Sequence, residues 1–161
     1  MDISISPIGI IKTPFNELEG MPVQPSGAAD IKGTIIINTE YQQGLSDLEG
    51  FSHIILLFYL HRSKGYNLMV KPFMDDKKRG VFSTRAPRRP NPIGLSIVEL
   101  VEIKENIITI KGIDMLNNTP LIDIKPYIPK FDEKKSASAG WAEARQQKAD
   151  FLKSDSRFIK P

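Results

Sequence analysis

The chain has 161 residues, a net charge of +3 and a pI of about 9.1, with 40% hydrophobic and 25% charged residues. These values are normal for a single soluble domain, and the mild basic excess permits nucleic acid as a partner without requiring it. Cysteine is absent, which excludes disulfides, thiolate nucleophiles and thiolate metal sites.

Seven segments are predicted as strands because they are short and rich in β-branched or apolar residues. They are residues 4–12, 31–38, 52–60, 66–71, 96–104, 107–112 and 121–124. Gly33 lies inside the second and predicts a possible bulge. The third is nearly continuously apolar, as in a strand buried on both faces. Glu105-Asn106 predicts a hairpin turn between the fifth and sixth.

Two helices are predicted. Thr39 with Gln42 three positions later resembles a capping box, which favours a short helix over residues 39–48. Near the C-terminus Ser138 can cap a helix, whose one face would carry Trp141, Ala144, Arg145, Ala149 and Leu152. This apolar stripe indicates that Trp141 packs the helix on the body of the protein.

Many short strands with few helices predict a mainly β fold. A β-barrel or a strongly curved sheet, with one short helix and one C-terminal helix, fits this pattern. We expect a barrel domain over residues 1–135 and a C-terminal helix and tail over 136–161. The N-terminal residues do not resemble a signal peptide, and the longest apolar run, residues 54–60, is too short to cross a bilayer. We therefore expect a cytoplasmic protein without membrane association.

Several common chemistries are missing from the sequence. No two glycines have G-x-G spacing, so there is no dinucleotide or Walker motif. The two histidines, His53 and His61, do not lie in a metal-binding motif, and no metal site is expected. A G-x-S-x-G nucleophile elbow is also absent.

The most informative stretch is RGVFSTRAPRRPNPIGLS, residues 79–96. Three prolines stiffen it and hold the residue before each of them extended. Arg88 and Arg89, adjacent in an extended chain, should point to different sides and could serve two anions. Gly94 would let a backbone or ligand approach closely. The alternative interpretation of residues 79–96 is a stiff basic loop whose arginines are solvated and bind no ligand.

Two further stretches carry polar residues at strand ends. LEGFSHIILLFYLHRS, residues 48–63, ends a strand with His61 and Arg62, where the mouth of a barrel would lie. DMLNNTPLIDIKPYIP, residues 114–129, places Asp123 and Lys125 on one face of a strand. A surface ion pair is the simpler explanation for Asp123 and Lys125.

GVFSTRAPRRPN, residues 80–91, resembles the signature of the TsaA-like proteins, also called the TrmO or YaeB family. LEGFSHI, LHRS and DIKPYIP resemble the other blocks of that family, in the same order. The resemblance implies a dimeric single-sheet β-barrel that binds S-adenosylmethionine (SAM) without a Rossmann fold. It also implies methylation of N6 of threonylcarbamoyladenosine at position 37 of a tRNA.

The resemblance further implies two sets of site residues. The implied SAM site comprises Gln24, His61, Arg62, Arg89, Leu100, Ile122, Asp123, Ile124 and Lys125. The implied contacts with the phosphates of the anticodon loop are Lys77, Lys78, Arg79, Arg85 and Arg88. An arginine would take the methionine carboxylate, and His61 is a candidate base if it faces the substrate. No other residue is suggested as the base.

Bacterial members often carry a further C-terminal domain, whereas here we expect one helix and a short tail after the barrel. Another tRNA, another RNA or a small molecule therefore remains open as the substrate. A non-enzymatic SAM- or RNA-binding regulatory module is the alternative from a different class.

Overall fold

The computed structural model describes residues 2–21, 28–73, 75–145, 153 and 155. Eight strands lie in this part of the chain. They are β1 (Gly9–Lys12), β2 (Lys32–Ile37), β3 (His53–Tyr59), β4 (Met69–Val70), β5 (Arg79–Gly80), β6 (Ile93–Lys104), β7 (Ile107–Lys111) and β8 (Thr119–Pro126). Six of them form a closed antiparallel barrel in the order β1-β2-β7-β6-β3-β8, which confirms the predicted barrel.

Side chains that alternate along the strands fill the interior of the barrel. In β3, Ile54, Leu56 and Phe58 are buried, while the residues between them face outward. The prediction that this strand is buried on both faces is therefore wrong, although outward Ile55 and Leu57 are half-buried. Each fully buried Ile or Leu contributes about 1.5–3 kcal/mol, so the packed interior is the main source of stability.

Predicted and observed strand limits differ where pairing partners run out. β1 begins not at residue 4 but at Gly9, where its neighbour β2 ends, in the pair Gly9↔Ile37. β6 begins three residues earlier than predicted, since Ile93 pairs with Tyr59. The turn between β6 and β7 is confirmed, and Glu105 takes a left-handed conformation there, with φ 54°.

The two glycines singled out in the sequence accommodate side chains rather than a bulge or a ligand. The register continues through Gly33, so the bulge prediction is wrong. A Cβ at Gly33 would lie 2.1 Å from Ile113 Cδ1. At Gly94 it would lie 2.2 Å from Cε2 of Phe58, whose ring covers this glycine inside the barrel.

The helices are shorter than predicted. A 3₁₀ helix spans Thr39–Leu45, but Asn38 is its N-cap and makes no side-chain capping bond, so the capping-box prediction is wrong. The first ends where Ser46 leaves the helical conformation, and a second 3₁₀ turn spans Leu48–Gly50 after its N-cap Asp47, whose φ is 66°. A short helix, α1, spans Pro129–Asp132 and was not predicted.

The predicted C-terminal helix begins as a 3₁₀ helix over Gly140–Arg145. Its first turn is held by the Glu143 carboxylate, which accepts from the Ala139 backbone N at 2.7 Å. Ala149 and Leu152 lie outside the described residues, so the remainder of that helix stays a prediction. No helix in the described ranges is long and apolar enough to cross a lipid bilayer.

Candidate functional site

The proline-rich stretch forms an anchored loop at one end of the barrel, where β3 ends and β6 begins. Leu60 N donates to Pro92 O at 2.8 Å, and the Ser63 hydroxyl donates to Pro87 O at 2.9 Å. These bonds hold the loop against the residues that follow β3. Because His61 and Arg62 lie between these two anchors, they share this rim of the barrel with the arginine loop.

The guanidinium of Arg89 is held in one orientation by the loop itself. Its Nη1 donates to Thr84 O at 3.0 Å and to Ala86 O at 3.2 Å, and the side chain is half-buried. The Thr84 hydroxyl in turn accepts from Ala86 N at 3.2 Å. A guanidinium already ordered in this way loses little entropy when it takes a carboxylate or phosphate.

His61 is half-buried at the same rim. Burial lowers its pKa, the neighbouring Arg62 lowers it further, and a hydrogen bond with the Tyr59 backbone acts in the opposite direction. The imidazole is therefore mainly neutral at pH 7 and can accept a proton. Arg62 is more exposed, and its Nη1 lies 4.0 Å from a Glu17 carboxylate oxygen.

The remaining members of the implied SAM site lie elsewhere on the barrel. Asp123 and Lys125 form an ion pair of 2.8 Å on the outer face of β8, beside Leu57 and Ile55 of β3. The surface ion pair expected for them is thus present. In the barrel wall, Ile122 is half-buried.

The second set lies at other levels of the strands than the rim does. Asp123 pairs with Leu57, whereas His61 lies four positions further along the chain, in the turn that follows β3. Leu100 lies seven positions beyond Ile93 on β6. Leu100 and Ile124 also pack against the barrel core. Gln24 lies outside the described residues.

A mainly apolar cleft of about 400 Å³ opens at the opposite end of the barrel. Its walls include Leu45, Leu48 and Phe51, and Asp123 and Ile124 line part of it. The cleft thus adjoins the second set of implied SAM residues and not the rim set. The rim set carries groups that suit an anionic ligand, with two arginines and a neutral histidine, whereas the cleft is mainly apolar.

A carboxyl group that the sequence did not single out lies between β6 and the arginine loop. Asp114 Oδ1 accepts from the buried Ser96 hydroxyl at 2.6 Å. Burial raises the pKa of Asp114 to about 6, against opposing effects of Ser96 and of the Arg85 charge. The signal in the sequence was an acidic residue inside the apolar run Ile113 to Leu116.

Arg79, one of the predicted RNA contacts, is engaged within the protein. Its Nε and Nη2 donate to Oδ2 of the buried Asp75 at 2.8 and 2.6 Å. Its guanidinium also lies over the Trp141 ring, 5.3 Å from the centroid. Trp141 Nε1 donates to Ser83 O at 2.8 Å, so the expected packing of Trp141 on the body of the protein is confirmed.

The basic charge of the chain is concentrated around the arginine loop. Residues 61–92 contain nine Lys or Arg and two Asp, a net charge of +7, whereas the remainder of the chain carries −4. Lys77, Lys78 and Arg85 are exposed, and Arg88 is half-buried. The whole-chain value of +3 therefore conceals a strongly cationic surface at one rim of the barrel. Among the described residues no group of three His, Asp or Glu side chains could hold a metal ion.

A small closed barrel with an ordered arginine loop and a cationic rim is typical of a protein that binds anions. Residues 10–133 match the model of the tRNA-methyltransferase O N-terminal domain. Because that match covers most of the chain, the chain belongs to this family.

Individual relatives agree with this membership. A probable SAM-binding protein of Pyrococcus abyssi is 50% identical over 98% of this chain and 85% of its own length. The tRNA (adenine(37)-N6)-methyltransferase of Escherichia coli is 37% identical over 85% of this chain and 63% of its own length. A crystal structure of TrmO from Pseudomonas aeruginosa matches with a TM-score of 0.75 and 38% identity, over 88% of this chain and 63% of that one.

Proposed function

We propose that this protein is a SAM-dependent methyltransferase that acts on N6 of threonylcarbamoyladenosine at position 37 of a tRNA. Support comes from the methyltransferase relatives, among them four that are named for the adenine at position 37. The observation that carries the proposal is the rim, where preordered Arg89 lies within the segment of net charge +7. An ordered arginine suits the carboxylate of SAM, and the surrounding cations suit RNA phosphates.

The functional groups on the chain fit the chemical groups of SAM. SAM supplies a methyl group on a sulfonium, together with one carboxylate, one ammonium and a ribose diol. The part of the Arg89 fork not used by Thr84 and Ala86 can take the carboxylate. The Asp123 carboxylate, with its side chain 42% exposed, can accept from the ammonium or the diol.

Positioning would supply much of the rate of an in-line methyl transfer. The role of this chain is to fix the donor through Arg89 and the RNA through the exposed Lys77, Lys78 and Arg85. Neutral His61 is the candidate acceptor for the proton that leaves N6. The threonylcarbamoyl group makes that N–H more acidic and so lowers the demand on the base.

We also propose a homodimer that completes the site. Outward residues of β3 and β6 form an exposed apolar strip, with Tyr59, Ile93, Leu95 and Ile97 each 39–51% exposed. Exposed apolar patches of this kind are typical of interfaces. A two-fold axis perpendicular to these strands would place the rim of one protomer over the Asp123–Lys125 region of the other. Such an arrangement would bring the rim set of one protomer close to the second set of the other.

A tRNA substrate and SAM as methyl donor agree with a cytoplasmic location. The relatives that match over nearly their whole length are described as SAM-binding proteins, which keeps a non-enzymatic SAM-binding module as the second candidate function. The chain spans 63% of the length of the E. coli methyltransferase.

Calorimetric titration of the purified chain with SAM and S-adenosylhomocysteine, followed by a methyl-transfer assay, tests the proposal. We expect both compounds to bind, and methylation of tRNA that carries threonylcarbamoyladenosine but not of unmodified tRNA. Arg89→Ala should weaken SAM binding by about 10-fold or more, because it removes a charged hydrogen-bond donor.

Lys104→Ala, at an exposed position at the far end of β6, is the matched control and should bind as the wild type does. Thermal unfolding of Arg89→Ala would reveal whether loss of its bonds to Thr84 and Ala86 disorders the loop. Tight SAM binding with no transfer to any tRNA would favour the binding module. Unchanged SAM affinity in Arg89→Ala would overturn the carboxylate assignment.

A further inference from the structure

The cationic segment also exposes four large apolar side chains. Tyr66, Leu68, Met69 and Phe82 are 59%, 58%, 56% and 76% exposed, respectively. Single exposed apolar residues are common on protein surfaces, but a group of them within a segment of net charge +7 is unusual. Phe82 is the most exposed of the four, and neither the barrel core nor the small cluster under the loop includes it.

Phe82 stands on a rigid base although its ring is in solvent. It is the middle residue of a 3₁₀ turn over Val81–Ser83. On one side, Val81 is 1% exposed and packs with Val70 and Ala86. On the other side, Ser83 O accepts from Trp141 Nε1 at 2.8 Å. Both neighbours are therefore fixed, and the exposed aromatic ring is displayed on an ordered backbone.

Two of the other apolar residues, Leu68 and Met69, lie beside this turn. Val81 N donates to Leu68 O at 2.9 Å, and Met69 pairs with Gly80 across the β4–β5 ribbon. Leu68 and Met69 thus belong to the segment that pairs with Gly80 and Val81, directly before Phe82. The cations Lys78 and Arg85 lie four and three residues away along the chain and are exposed. The surface combines an aromatic face with flanking positive charge.

We propose that Phe82 is a base-stacking residue for single-stranded RNA, and that its partner is an anticodon-loop base next to the adenosine to be methylated. Nucleobases stack on aromatic side chains irrespective of sequence, while nearby Lys and Arg neutralise the backbone. The flanking cations Lys78 and Arg85 suit the phosphates on either side of a stacked base, which favours RNA over an apolar protein partner. This inference rests on the proposed function and adds a specific RNA contact to it.

The position of Phe82 relative to the candidate site supports a base close to the reacting one. Thr84, whose carbonyl accepts from Arg89 Nη1 at 3.0 Å, is two residues from Phe82. Their Cα atoms are at most about 7 Å apart. A base stacked on Phe82 would therefore lie near the arginine assigned to the methyl donor, within the reach of one or two nucleotides.

Binding of a fluorescently labelled anticodon stem-loop to the full chain tests the inference. Phe82→Ala should weaken binding by about 5- to 100-fold, the range of aromatic stacking contacts, while the salt dependence of binding stays as in the wild type. Phe82→Tyr should restore affinity. The control is Phe131→Ala, at a ring that is 64% exposed but lies outside the cationic segment, and it should have no effect.

Abasic substitutions along the loop of the RNA then identify the stacked base. At that position, removal of the base should weaken binding to the wild type but not to Phe82→Ala. An affinity of Phe82→Ala within two-fold of the wild type, with Lys77→Ala/Lys78→Ala impaired, would overturn the stacking role and leave the proposed function standing. If the wild type binds SAM but no stem-loop, the tRNA proposal and the stacking role both fail.

Discussion

At the scale of single residues, the positive charges on the rim have different tasks. Arg79 is held by Asp75 and Trp141, whereas Arg89 is bonded to backbone carbonyls at only one of its terminal nitrogens. Lys77 and Lys78 are exposed. The sequence shows six basic positions between residues 77 and 89, and only the contacts distinguish a structural arginine from those available to an anion.

Titration of the Asp114 carboxyl group makes the free energy of unfolding depend on pH. Its pKa is raised to about 6 in the folded state, from an unfolded value of 3.8, so between these values the folded chain binds more protons than the unfolded one. The free energy of unfolding should fall as pH rises through this window, by at most about 3 kcal/mol. Below pH 3.8 both states are protonated, and the contribution of Asp114 is fully present.

Urea unfolding of the wild type and of Asp114→Asn at pH 4 and pH 7 measures this dependence. The Asn variant keeps the acceptor for Ser96 but cannot ionise, so the variant should gain stability relative to the wild type at pH 7. If the two proteins change in parallel with pH, the titration belongs to other groups.

At the scale of elements, the pairing of β3 with β6 depends on the close approach of the Phe58 ring to Gly94. The Phe58 ring occupies the space above Gly94, and a Cβ there would lie 2.2 Å from a ring atom. Phe58 is 5% exposed within the core and has little room to move. Glycine at this position thus lets an inward aromatic ring close the barrel just after the proline loop.

Gly94→Ala should therefore destabilise the protein by about 1–3 kcal/mol through overpacking. The matched control is Gly80→Ala, where φ is −59° and a Cβ would meet nothing within 4 Å. Chemical denaturation of both variants measures the difference. Equal midpoints would mean that Phe58 repacks without cost.

At the scale of the whole molecule, the exposed strip on β3 and β6 makes a prediction about assembly. Leu95→Asp places a charge in the centre of the proposed interface and should convert a dimer to a monomer in sedimentation experiments. Ile107→Asp, at the hairpin end of β7 and 41% exposed, should leave the dimer intact. Sedimentation of the wild type as a monomer would contradict the two-protomer site.

Much of the barrel could be predicted from the sequence because its strands alternate or run apolar between clear turns, as at Glu105-Asn106. The ends could not, since strand length depends on neighbours that are distant in the chain, as the start of β1 at Gly9 illustrates. Within the site, the prolines and arginines indicated the loop. The contact of Asp114 with Ser96 and that of Arg79 with Trp141 join residues that are distant in the chain, so local patterns do not encode them.

The chain has a single tryptophan, and that residue donates its indole N–H to the loop next to Phe82. Fluorescence of the indole ring therefore reports on one place in the molecule, because the chain has no second tryptophan. The stacked guanidinium of Arg79 and the Ser83 carbonyl set its polarity. Any ligand that shifts the arginine loop changes the emission maximum, so occupancy of the rim can be followed in real time without a label.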